Sequence, residues 1–141
     1  MSKEQIAFVQ AARRHVNDAR ALLAASPLQA YHLAGFGPEC ARKALPGVAT
    51  LAKQLGHTID ADEALATLFA ALDPALHRYP VFGWATRFPT YASWRPDVRY
   101  AATADQRRLA AAQVTDEAEA ALEEVLYALY ADGTAPAEAF Q

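Results

Sequence analysis

Cysteine is nearly missing from this chain: Cys40 is the only one in 141 residues. A single thiol closes no internal disulfide, which excludes a small domain stapled by cystines. Long apolar runs are missing too. No stretch approaches 18 consecutive apolar residues, so no membrane helix is expected. Met1-Ser2-Lys3-Glu4 offers neither a basic start nor an apolar core, so no signal peptide and a cytoplasmic location are expected. A strong charge of either sign is absent, with a formal net charge of −3, so nothing global draws the chain to nucleic acid. Valine and isoleucine are few and nowhere alternate with polar residues, which argues against strands. There is no glycine-rich phosphate loop. The four histidines, His15, His32, His57 and His77, show no i, i+4 spacing and no accompanying carboxylate cluster, so neither a metal nor a cofactor is expected.

Alanine is what the chain has in abundance, 35 residues, or a quarter of it. It is the best helix former and stands here among Leu, Glu and Arg, so the composition reads all-α. A hydrophobic content of 53% excludes disorder, and the length suits one domain over residues 1–141. Four helical segments can be bounded. Ser2 with Gln5 forms a capping box, followed by a stripe through Ile6, Val9, Val16, Ala19 and Leu23. Ser26-Pro27-Leu28-Gln29 reads as a second box with proline at the first helical position. Small residues then recur at Ala30, Ala34, Gly37, Ala41 and Ala44, a stripe without bulk that another helix can approach closely. Pro38 predicts a kink within it, and Pro46-Gly47 its end. Asp60 is the expected cap of a third helix, with Glu63 at its third position, a buried face of Leu65, Leu68, Phe69 and Leu72, and an end at Asp73-Pro74. The last helix is expected from about Thr103–Asp105 to Asp132-Gly133, with a stripe including Val114, Ala118, Leu122, Val125, Leu126 and Leu129.

Residues 77–100 read as a long aromatic loop before that last helix. They hold seven of the fourteen aromatics (Tyr79, Phe82, Trp84, Phe88, Tyr91, Trp94 and Tyr100), together with four arginines and three prolines. A loop of this length is usually functional. From His77 to Arg108 six arginines face Asp97 and Asp105, whereas Asp116 to Glu138 carries seven acids and no base. The acidic run reads as the solvated face of the last helix, and the basic aromatic stretch as the better partner surface.

Two stretches carry a family resemblance: residues 14–45, with His15, Asp18-Ala19 and Tyr31-His32-Leu33-Ala34-Gly35-Phe36-Gly37-Pro38-Glu39-Cys40-Ala41-Arg42-Lys43-Ala44-Leu45, and Trp94-Arg95-Pro96-Asp97-Val98-Arg99-Tyr100. They resemble the HEPN domain family, the higher eukaryote and prokaryote nucleotide-binding domain. The resemblance implies an up-down bundle of four to five helices, usually a homodimer. It also implies one of three roles: metal-independent ribonuclease, toxin component, or non-catalytic partner of a nucleotidyltransferase. Nuclease members pair a late-helix arginine with a histidine a few residues on, the arginine for phosphate and the histidine for acid–base work. Here Arg107 and Arg108 are present, but Gln113 stands where the histidine would be.

The expectation is therefore a nucleotide- or RNA-associated accessory domain without that nuclease pair. The alternatives are a divergent ribonuclease or toxin paired with an antitoxin, using Arg107 or Arg108 with His57 or His77, and a protein–protein assembly module. Trp94, Arg95, Arg99 and Tyr100 are candidates for stacking bases and contacting phosphate, with His77 and Arg78 at the loop's start and Arg108 beyond it. The same aromatics could instead pack over the bundle, covered by arginine stems. Glu39 and Arg42 read either as part of a solvated helix face or as the lining of a groove between loop and second helix. Cys40 reads as a buried thiol.

Overall fold

The computed structural model describes residues 1–57, 62–100, 102, 110–135 and 137. Among them every regular element is helical. α1 (Lys3–Leu22) starts at the expected box: Ser2 Oγ accepts from the Gln5 amide at 3.2 Å and Gln5 Oε1 from the Ser2 amide at 2.8 Å. The Gln5 side chain also donates to the Ala44 carbonyl at 3.0 Å, tying the start of α1 to the chain leaving the second helical segment. Val9, Ala12, Val16 and Ala19 form its buried stripe, whereas Ile6 and Leu23 are only half-buried.

The second box does not form. Pro27 opens α2 (Pro27–Ala34), but the Ser26 side chain makes no capping bond. The Ser26 amide already donates to the Leu22 carbonyl at 2.8 Å, so Gln29 has no donor left to accept from. The kink expected near Pro38 is a one-residue interruption of the helix. α2 ends at Ala34, Gly35 bridges it, and α3 (Phe36–Lys43) follows. Pro38 cannot donate to the Ala34 carbonyl, which accounts for the break. Gly35 is required there for space: a Cβ on it would lie 2.0 Å from Trp94 Cδ2. The small stripe from Ala30 to Ala44 is fully buried, and along it α1 and the last helix close on α2 and α3.

A 3₁₀ turn (Ala49–Leu51) and α4 (Ala52–Leu55) lead to α5 (Asp62–Leu72). The expected cap Asp60 lies outside the described residues. The buried face of α5 is narrower than its pattern, because Leu65 and Phe69 are buried, Leu68 is half-buried and Leu72 is exposed. Asp73 caps the next 3₁₀ turn (Pro74–Arg78), its Oδ1 accepting from the Ala75 amide at 2.9 Å.

The expected aromatic loop is built of short helical pieces: that turn, α6 (Trp84–Arg87), α7 (Pro89–Ala92) and a 3₁₀ turn (Pro96–Tyr100). Tyr79, Val81, Trp84, Phe88, Tyr91, Trp94 and Val98 are buried, so apolar burial folds the segment down onto the bundle. Both indoles are satisfied within the fold, Trp84 Nε1 donating to Pro80 O at 3.1 Å and Trp94 Nε1 to Tyr31 O at 3.0 Å. α8 (Ala111–Ala131) packs on α1, α2, α3 and α7 and ends as expected at Gly133, φ +73°. Its expected start lies outside the described residues. Its acidic face is more than solvated: Arg20 pairs with Asp116 and Glu119, Arg87 with Glu124, and Glu117 accepts the Tyr91 amide at 2.6 Å.

Candidate functional site

α3 carries its charged residues inward. Glu39, Arg42 and Lys43 are 2%, 1% and 8% exposed, which overturns the solvated-face reading. α3 is covered on several sides at once, by α1, α2 and α8, so all of its residues after Phe36 are buried. Buried charges must be paired, and these are. Glu39 Oε1 accepts from Lys43 Nζ at 2.5 Å, while His57 Nδ1 lies 2.9 Å from Oε2 and 3.0 Å from Oε1. A carboxylate at Nδ1 places the proton there, so in neutral His57 the Nε2 lone pair is the acceptor. His57 itself is half-exposed.

Phe36, next to the Gly35 break, gathers three histidines from three parts of the chain. His32 of α2 lies edge-on at 5.1 Å between centroids, His15 of α1 at 5.5 Å, and His57 after α4 at 5.9 Å. Trp94 closes the other side, edge-on at 4.9 Å. Burial lowers the His15 pKa, with the Arg14 charge adding to it. Burial lowers that of His32 as well, with the charges of Arg99 and His15 adding. His32 Nδ1 is buried and has no hydrogen-bond partner among the described residues. Arg99 stacks at 4.9 Å over Tyr100, which is 77% exposed. The result is a histidine-lined face with an arginine and an exposed ring beside it. Among the described residues no group of three His, Cys, Asp or Glu side chains could hold a metal ion.

The sequence candidates thus fall in three places. Arg99, Tyr100 and Glu39 border the Phe36 face. Trp94 supports it from within, with its indole N–H already engaged. Arg42 and Arg95 line a separate cleft of about 220 Å³ with Asp62, Trp84 and Tyr91. There the Arg42 guanidinium stacks on Trp84 at 4.0 Å and donates to Asp62 Oδ1 at 2.9 Å and the Val81 carbonyl at 2.5 Å. His77 and Arg78 belong to neither place. His77 stacks on Phe82 at 5.2 Å, and Arg78 bonds Asp132 and the Tyr79 hydroxyl. Arg108 lies outside the described residues. Cys40 is buried, and burial pushes its thiol up to about 11, which leaves it unreactive near neutrality.

Reasoning from sequence missed the convergence of His15, His32 and His57. The i, i+4 pair His32–Phe36 was a visible signal, but nothing along the chain joined it to His15 or His57. No family model, curated protein or solved structure matches the chain. Among the described residues, no helix is long and apolar enough to cross a membrane.

Proposed function

We propose that this chain is a HEPN-like, nucleotide- or RNA-associated binding module whose contact surface is the Phe36 face. The observation that supports it best is the grouping of His15, His32 and His57 around Phe36, with Arg99 and the exposed Tyr100 at its edge. Unstacked bases need aromatic or guanidinium planes, and phosphates need cationic donors; this face offers both. The role is that of an accessory domain: the late-helix arginine–histidine pair of the family's nucleases is missing, and Gln113 stands exposed on α8 where the histidine would be. Partners on this reading are a second copy of the chain and a nucleotidyltransferase or antitoxin.

Replacing Arg99 and Tyr100 together with alanine is expected to weaken retention of a labelled single-stranded RNA at least about tenfold, since stacking alone contributes about 1–3 kcal/mol per base. Filter binding at two salt concentrations measures it, and unchanged retention would defeat the assignment. One observation favours the ribonuclease alternative. His57 is oriented by a buried carboxylate, the arrangement a general base requires. RNA cleavage that disappears in H57A would establish it in place of simple binding.

A further inference from the structure

The cleft between α3, α5 and the α6–α7 segment stands apart from the Phe36 face and from nucleic-acid binding. At about 220 Å³ it is smaller than the roughly 300–1,000 Å³ of pockets that hold drug-sized ligands. Its size suits a small ligand rather than one as large as a dinucleotide. Trp84 and Tyr91, 2% and 6% exposed, line it together with the Ala92 methyl group, and Arg42 already covers one face of the Trp84 ring.

The charges in the cleft leave one cation over. Arg42 and Asp62 are paired at 2.9 Å, and the second Asp62 oxygen accepts the Gly83 amide at 2.9 Å, so this pair cancels within the fold. Arg95 differs. Its Nη1 donates to the Ala92 carbonyl at 3.0 Å and the Trp94 carbonyl at 2.6 Å, and among the described residues no carboxylate lies within ion-pair distance of it. A guanidinium has five N–H donors. The two carbonyls hold Nη1, and the Nε–Nη2 edge is the part of the fork they do not use. That edge grips a carboxylate through two parallel bonds. Anchoring at Nη1 also orders the side chain beforehand, which reduces the entropy lost on binding.

We infer that this cleft binds a small aromatic monocarboxylate, its ring beside Tyr91 and Ala92 and its carboxylate on the Arg95 fork. The site needs no contribution from the Phe36 face.

Benzoate is the probe, titrated into the full chain by calorimetry and by tryptophan fluorescence, with benzyl alcohol, benzylamine and inorganic phosphate as parallel arms. Saturable benzoate binding is expected, with the three other compounds at least about tenfold weaker, a difference of about 1.4 kcal/mol. R95Q, at an exposed position, is expected to lose at least as much while keeping its helical circular dichroism. A92L, which fills the cleft without touching a charge, is expected to block binding, and R99A to leave it unchanged. Absence of saturation overturns the inference, as does equal binding of benzyl alcohol or phosphate, or an undiminished affinity in R95Q or A92L. RNA retention by R99A/Y100A is read separately, so either proposal can fail alone.

Discussion

At Arg42 three kinds of interaction meet on one guanidinium. It stacks on Trp84, pairs with Asp62 and donates to the Val81 carbonyl, so a single side chain fastens α3 to α5 and to the segment before α6. Removing one member of a buried charged pair costs far more than the pair contributes, because the partner is left unsatisfied. Asp62 is partly solvated, which places the cost toward the lower end of the known range. Arg42→Ala is expected to destabilise the fold by about 3 kcal/mol, measured by urea unfolding. In the sequence Arg42 was one of three charged residues on an alanine-rich helix. Its burial could not be read there, because helical spacing gives the face a residue shares but not what covers that face. Glu39 carries the same lesson, since its partner His57 lies eighteen residues on and beyond two breaks in the chain.

The break between α2 and α3 shows a local rule and a tertiary contact acting at one point. Pro38 makes the interruption legible from sequence, and Gly35 decides what it is used for. Gly35 has φ −67° and ψ −22°, an ordinary helical conformation. Helix propensity alone would therefore have Gly35→Ala stabilise the protein by up to about 1 kcal/mol. The Trp94 indole occupies the place of the new methyl, and displacing it also strains the bond to the Tyr31 carbonyl. A net loss of about 2 kcal/mol is expected, the scale of an overpacked core, with a shift in tryptophan emission. Stabilisation in thermal unfolding would show that Trp94 yields freely. The segment before α8 was legible in the same partial way. Its aromatic density demanded burial, and burial is what the structure shows, but no periodicity in the sequence announced α6 or α7, which are four residues each.

Taken as one body, the molecule joins distant titratable groups into a shared pH response. In the folded chain His15 and His32 have pKa values below their ordinary 6.5, burial being the main cause. Both are neutral in either state above that value. As pH falls through 6.5 the unfolded chain takes up protons that the folded chain resists, so stability is lost on the acid side. The melting temperature is expected to fall between about pH 7 and pH 5, and the H15Q/H32Q double variant to flatten that slope. An unaltered slope in the variant would place the response elsewhere. Asp132 adds a loss further down. Burial raises its carboxyl, but bonds from Thr134, Tyr79 and Arg78 outweigh this and hold it at about 2, so the stability it contributes is present above its ordinary 3.8 and disappears toward 2.

The sequence by itself determined that the chain is helical, where α1 starts, that the second helical segment is interrupted near Pro38, and where α8 ends. These follow from propensity, caps and missing amide donors, all set within a few residues along the chain. Only the tertiary structure decided that the charges of α3 point inward, that three histidines from separate elements gather around Phe36, and that Arg95 and Arg99, four residues apart, lie at different places on the molecule. Those outcomes depend on which faces the packed helices cover, and burial of apolar area, being non-directional, leaves no local mark of the partner it will bring.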